Sequence, residues 1–302
     1  MMKKNFTVKE SFNNFRLDKW FRKNVCDVPQ SLIEKSIRKG KIKVNKKTKK
    51  SSYRITKNDI ITIYDINFKL DKNKKRKEKY IATKSDISST SSIFIENNEN
   101  FVVINKPAGI AVQSGTKSKR NILDILRNTK EFDGTTPYTV HRIDKETTGI
   151  LIFAKNRKYA QLFTSLFRIR KIYKTYLGIV LGEMQNKRGT LKHELIYFEG
   201  NNKIKVLAIT HYVVLDSNGK YSLLQLNPET GRKHQIRKQL LIHGNPILGD
   251  TKYRISSSTV NKKSNLMLHA YKIKFSINDV KFNFSAETPK IFKQTLKEKY
   301  LK

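Results

Sequence analysis

The stretch VHRIDKETTGILIFAKN, residues 140–156, carries the pattern from which the rest of the chain can be read. Val140 closes a strand, and the polar tetrapeptide His141-Arg142-Ile143-Asp144 follows it. Lys145–Gly149 reads as a loop, Ile150–Phe153 as a strand. Arg157 to Arg168 is amphipathic, with Ala160, Phe163, Leu166 and Phe167 on one stripe. An aspartate at a strand-to-loop junction is well placed to point into a cleft, although turn-forming aspartates are far commoner. Taken alone, His141 reads as a structural hydrogen-bonding residue.

Upstream, Ile93–Glu96, a turn at Asn97-Asn98 and Phe101–Ile104 form a hairpin signal. Asn105-Lys106-Pro107-Ala108-Gly109 closes it in a tight loop, and Ile122–Leu126 reads as a short helix. Downstream, strands are expected at Tyr176–Leu181 and Tyr221–Leu226, a helix at Arg232–Ile242, and a hairpin from Ile273–Phe275 and Val280–Phe284. Strands outnumber helices and most joins look like hairpins. The expected fold is therefore α+β, with a mixed, largely antiparallel sheet flanked by helices.

At about 150 residues per domain, the 302 residues leave room for roughly two. The first eighty hold 25 Lys+Arg against 8 Asp+Glu. Phe15, Leu17, Trp20 and Phe21 share a helix face. Ser31 with Glu34 reads as a capping box, Gly40 as a helix C-cap, and Lys41–Val44 and Ile60–Tyr64 as strands. Lys39, Lys41 and Lys43 cluster where helix meets strand, which suits phosphate contacts; a solvated surface is the plainer alternative. Residues 68–92, FKLDKNKKRKEKYIATKSDISSTSS, read as a polar basic linker. The expected domains are 1–67, a small α/β unit, and 93–302.

The whole chain carries 63 Lys+Arg and 25 Asp+Glu, a formal charge of +38. That favours a polyanionic partner, although part of the excess reflects a chain rich in Lys, Ile and Asn. Cys26 is the single cysteine, which excludes an intramolecular disulfide and a Cys-ligated zinc site. The expected setting is reducing and cytoplasmic. No apolar h-region follows the first lysines and no apolar run approaches the length of a membrane span. GxGxxG, Walker-type and Gly-x-Ser-x-Gly loops are absent, and the six histidines form no HxH or HxxxH pair. No metal or cofactor is expected.

Two further polar clusters stand out. Thr230-Gly231-Arg232-Lys233-His234-Gln235-Ile236-Arg237 collects donors at a helix start, which favours anions, although an ordinary basic surface helix reads the same way. Tyr173-Lys174-Thr175-Tyr176 enters a strand with its tyrosines three apart, so one of them can face a cleft.

In order and wording, INKPAGIAVQ (104–113), VHRIDKETTGILIFAKN (140–156), YKTYLGIVLG (173–182), PETGRKHQIRKQL (228–240) and HGNPILGDTKY (243–253) resemble the RluA family of pseudouridine synthases. RLDKWF (16–21), VPQSLIEKSIRKGKIKVN (28–45) and the Asn58-Asp59-Ile60 strand start resemble the alpha-L RNA-binding domain, and the second of these is close to the RluC type, which modifies large-subunit ribosomal RNA. The resemblance implies isomerisation of uridine to pseudouridine in RNA; the chain is expected to act as a monomer. Atoms are conserved in that reaction, so no cofactor is implied. It makes Asp144 the catalytic aspartate, Tyr176 the active-site tyrosine and Arg237 the arginine that pairs with Asp144; guanidinium chemistry leads us to expect that pair to be a two-bond fork. It makes Arg142 a residue that helps displace the target base; Arg232, Lys39, Lys41 and Lys43 are expected to be RNA contacts from their charge and position. Ile143, Thr148, Gly178 and Gln239 depart from the family's usual residues. Two other readings stay open: a transfer-RNA pseudouridine synthase, and a non-catalytic RNA-binding or ribosome-assembly factor.

Overall fold

A computed structural model describes residues 3–26, 28–64, 80–114, 120–199, 202–255 and 265–302. The chain divides into two compact units, Met1–Glu78 and Lys79–Lys302.

The first unit runs β1 (Lys3–Thr7), α1 (Leu17–Asn24), α2 (Gln30–Arg38), β2 (Ile42–Val44) and β3 (Ile60–Tyr64). Its strands form a sheet in the order β1-β3-β2. Leu17, Trp20 and Phe21 of α1 and Ile33 and Ile37 of α2 pack into one core with Ile42, Val44 and Ile61. The helical spacing of those residues is what puts them on one face. Gly40 follows α2 with φ +68°, a backbone that L side chains rarely adopt. The capping box expected at Ser31 does not form. α2 begins two residues earlier, behind Pro29, and Glu34 instead accepts from Gln30 Nε2 at 3.1 Å.

The second unit runs α3 (Lys84–Ser89), β4 (Phe94–Asn97), β5 (Phe101–Lys106), α4 (Ile122–Leu126), β6 (Tyr138–Thr139), β7 (Thr148–Ala154), α5 (Arg157–Arg168) and β8 (Tyr173–Leu181). It continues with β9 (Arg188–Glu199), β10 (Asn202–Ser217), β11 (Tyr221–Pro228), α6 (Gln235–His243), β12 (Leu268–Ile277), β13 (Val280–Ser285) and α7 (Lys290–Glu298). Residues 80–92, expected in the linker, belong to this unit. Thr83 and Asp86 form a capping box on α3, and Asp86 also takes the Tyr80 hydroxyl and Arg120. Residues 68–79 of that stretch lie outside the described residues.

One sheet, in the order β4-β5-β7-β12-β8-β11-β10-β9, forms the frame, with β13 paired to β12 and β6 to β7. Every pairing is antiparallel except β7 with β12. The fold is thus the mixed, largely antiparallel α+β arrangement read from sequence. From Ile150 to Ala154 β7 is apolar without interruption because both its faces are covered: Ile150, Ile152 and Ala154 enter one core, Leu151 and Phe153 another. The long β9–β10 hairpin is an addition to the expected strands. Lysines and other polar residues interrupt its apolar alternation, which hides it from a pattern search.

The β7–β12 seam decides where the polar motifs meet. Gly149 pairs with Ala270, and Ala270 pairs on its other side with Tyr176. The loop ending at Gly149 and the tyrosine on β8 therefore lie two strand spacings apart, about 10 Å. Gly149 has φ +106°, and a Cβ there would sit 2.2 Å from the Ala270 carbonyl oxygen, so this approach requires glycine.

Candidate active site

Asp144 leaves the sheet just ahead of β7. Its loop is held from below by Lys106, whose side chain is fully buried. Lys106 Nζ donates to the carbonyls of Pro107 at 2.7 Å, Ile110 at 3.0 Å and Lys145 at 3.0 Å. Burial pushes this amine down to about 7, against the opposing pull of the Glu146 and Asp144 charges. On the same segment, His141 Nε2 accepts from the Ile152 amide at 2.9 Å and its ring stacks on Phe167 at 4.7 Å. Burial, helped by the Lys174 charge, holds that imidazole down to about 3, so it is neutral and structural, as the residue alone suggested.

The turn from β11 into α6 is built by Thr230 and Gln235. Thr230 Oγ1 donates to Gln235 Oε1 at 2.7 Å, the Arg232 amide donates to the same oxygen at 3.0 Å, and Gln235 Nε2 returns to the Ile209 carbonyl at 3.0 Å. The helix starts at Gln235, three residues later than expected, because His234 takes a left-handed backbone (φ 53°). Arg232 thus precedes the helix.

One turn in, Arg237 is buried and joins two carboxylates. Its Nη1 donates to Asp144 Oδ2 at 3.0 Å. Its Nε and Nη2 donate to Asp250 at 2.7 and 2.8 Å. The pairing of Arg237 with Asp144 is present, but the two-bond fork expected for it goes to Asp250. The reason is geometric: Asp250 is fully buried and fixed by the amides of Lys252 and Tyr253, each at 2.9 Å, and so meets the guanidinium edge-on. Arg237 and those amides hold the Asp250 carboxyl below the usual range against the opposing effect of burial. Asp144 keeps 20% of its side chain exposed toward the cleft. His234 Nε2 lies 3.7 Å from its other oxygen, while His234 Nδ1 meets the Tyr253 hydroxyl at 2.8 Å.

Asp144, Tyr176, Arg237, Arg142 and Arg232 line one cleft of about 690 Å³. Seven Lys or Arg residues and two carboxylates, Asp144 and Glu229, are among its walls. Tyr176 is the tyrosine that faces it; Tyr173 is 64% exposed. Burial and the Asp144 charge both push the Tyr176 phenol up, so it stays protonated at neutral pH. Lys39, Lys41 and Lys43 belong to the first unit. Lys39 and Lys41 are exposed, and Lys43 Nζ lies 5.5 Å from the Tyr64 ring.

The family described as RNA pseudouridylate synthase matches residues 100–241. A ribosomal large subunit pseudouridine synthase C from Vibrio vulnificus is 31% identical over 89% of this chain and 87% of its own. The chain belongs to the RNA pseudouridylate synthase family. A protein of the same description from Rickettsia bellii is 32% identical over 92% of this chain and 95% of its own. The solved human RNA pseudouridylate synthase domain containing 4 superposes with a TM-score of 0.62 at 25% identity, covering 72% of this chain and 96% of that one. The protein is therefore an RNA pseudouridine synthase, an isomerase of uridine.

Four residues around the synthase cleft carry no assignment from the sequence: Lys106, Lys174, His234 and Asp250. The first three stand inside the quoted motifs, and Asp250 sits in HGNPILGDTKY, so position marked them; only their partners reveal what they do. Gln239, a departure from the usual residue, is buried and fastens α6 to the hairpin. Its Nε2 donates to the carbonyls of Leu191 at 2.7 Å and Ala208 at 3.1 Å. It therefore touches the frame and leaves the cleft chemistry alone.

Proposed function

We propose that this synthase modifies large-subunit ribosomal RNA, with Asp144 as the catalytic carboxylate. Asp144 carries the reading: it is a carboxylate in a cationic cleft, beside a ring on which a uracil can stack and bonded to a buried arginine. An RNA binder gains nothing from a negative charge there. The names of the relatives from Vibrio and Rickettsia support the ribosomal substrate. The basic first unit, with Lys39, Lys41 and Lys43, supports RNA docking through phosphate contacts. The reading is of a monomer acting where ribosomal RNA lies, in the cytoplasm.

The reaction cuts the bond from uracil N1 to ribose C1′, turns the base and rejoins it through C5; the proton at C5 leaves and N1 gains one. Asp144 must be ionised to attack C1′ or C6, or to draw a proton toward a glycal. Arg237, anchored by Asp250, donates to Asp144 Oδ2 and fixes its rotamer. Tyr176 stacks on the base, a contact worth about 1–3 kcal/mol. A uridine inside a helix is unreachable, so it is extruded, and Arg142 fills the space it leaves.

Two measurements test this. Pseudouridines are mapped in ribosomal and transfer RNA from cells with and without the gene; loss of large-subunit sites is expected. Loss confined to transfer RNA would reassign the substrate, and no loss at all would leave a binding factor. Asp144→Asn is expected to bind RNA normally and lose turnover. A residual rate above about one hundredth of wild type would remove Asp144 from the reaction, since losing a nucleophile costs several powers of ten.

A further inference from the structure

Lys174 is a half-buried lysine on β8 that lines the cleft. It stands two residues before Tyr176, so both side chains project from the same face of the strand, about 6.6–6.8 Å apart along it. Its backbone is fixed: Asn227 Nδ2 donates to the Lys174 carbonyl at 3.3 Å and to Thr175 Oγ1 at 2.9 Å. Its ammonium has no anionic partner among the described residues. The two carboxylates of the cleft are taken, Asp144 by Arg237 at 3.0 Å and Glu229 by Arg170 at 2.6 Å. The nearby His141 is neutral, and Arg170 adds a second positive charge.

Burial and that arginine hold the Lys174 amine below the usual lysine range. An ammonium withdrawn from water without a counter-charge costs free energy in the empty protein. The cost disappears when an anion enters the cleft. The neighbouring Arg170 is already compensated by Glu229, whereas Lys174, half-buried on the strand that carries Tyr176, is a cation that an arriving phosphate would complete.

We propose that Lys174 is a phosphate subsite, whose ammonium takes the RNA backbone phosphate adjoining the uridine seated on Tyr176. This deepens the reading of the cleft as the uridine site and rests on it. A strand-borne point charge beside the stacking ring would set the distance from base to phosphate. The extruded nucleotide would then be held at both ends, while Asp144 and Arg237 are left free for the chemistry. Lysine serves because a phosphate needs only a point charge, with no fork.

The test uses the full-length chain carrying Asp144→Asn, so that binding is read without turnover. A fluorescein-labelled oligouridylate is titrated by anisotropy across a range of salt. Adding Lys174→Met is expected to weaken binding several-fold and to make the slope of log affinity against log salt shallower by about 0.7, the value for one contact on a single strand. Lys174→Arg is expected to keep the wild-type slope, which separates a lost charge from a disturbed strand. On an oligouridylate with methylphosphonate linkages, which lack the charge, Lys174→Met is expected to cause no further loss. An unchanged affinity and slope for Lys174→Met, or an equal loss on the charged and neutral oligomers, would overturn the subsite. Tyr176→Ala keeps the two readings apart. If it weakens binding while Lys174→Met does not, the subsite alone fails; if neither does, the uridine seat fails with it.

Discussion

Exchanging one or the other carboxylate on Arg237 for its amide should have different consequences. Asp250 is fully buried and accepts four bonds, two from the guanidinium at 2.7 and 2.8 Å and two from backbone amides at 2.9 Å. Asp250→Asn keeps the shape but strips the charge, leaving a buried arginine with one partly exposed partner. Breaking one side of a buried pair costs about 3–5 kcal/mol. For a unit of this size, each kcal/mol shifts Tm by about 2–4 °C, so a fall of about 6–20 °C is expected. Asp144 accepts a single bond at 3.0 Å from Arg237. Asp144→Asn leaves the Asp250 fork intact and should cost less than about 2 kcal/mol. Thermal unfolding of both variants, beside their single-turnover rates, makes the comparison. Asp144→Asn should be folded and inactive. Asp250→Asn should be destabilised and slowed about a hundredfold, because a carboxylate misplaced by an ångström loses about that much. If Asp250→Asn melted within about 2 °C of wild type, or if Asp144→Asn melted as low as Asp250→Asn, Arg237 would not be the shared anchor and the geometric account of Asp144 would fail.

Arg237→Lys should be nearly as slow as Arg237→Ala in single-turnover assays at saturating RNA, because a point charge cannot hold Asp250 by a fork and reach Asp144 as well; near-wild-type turnover would make Arg237 a generic cation. Lys106 has a folded-state pKa of about 7, below its unfolded value, so the unfolded chain binds the extra proton between the two. Wild type should therefore gain stability relative to Lys106→Met as pH rises from 7 toward 10, read by denaturant unfolding, and a difference that is flat or shrinks with pH would contradict the buried amine. Removing residues 1–78, which spares the Tyr80–Asp86 contact, should leave the second unit folded and flatten the salt dependence of RNA binding by about 0.7–0.9 per lost phosphate contact; an unchanged slope would make those lysines solvated surface.

Much of this was legible because it is local. The amphipathic stripe of α5 spans the range its periodicity predicts, Arg157–Arg168, and Asn156 caps it through the Tyr159 amide at 2.9 Å. The apolar run of β7 and the turn before α6 announce themselves in the same way, since the period of a segment reflects the surface it buries. Asp144, Tyr176 and Arg237 could be named from their motifs before any contact was known. Their partners could not. Arg237 meets Asp250 thirteen positions away and Asp144 ninety-three positions away, and no spacing rule reaches across such distances. The β7–β12 seam brings the Asp144 loop and Tyr176 together, aligning Gly149, Ala270 and Tyr176 in one row. The sequence by itself determined the elements and the chemical groups, because those depend on neighbours along the chain. Tertiary structure alone decided which carboxylate takes the fork, that Lys174 is half-buried without a counter-charge and which tyrosine faces the cleft, because burial and pairing are set by residues remote in sequence.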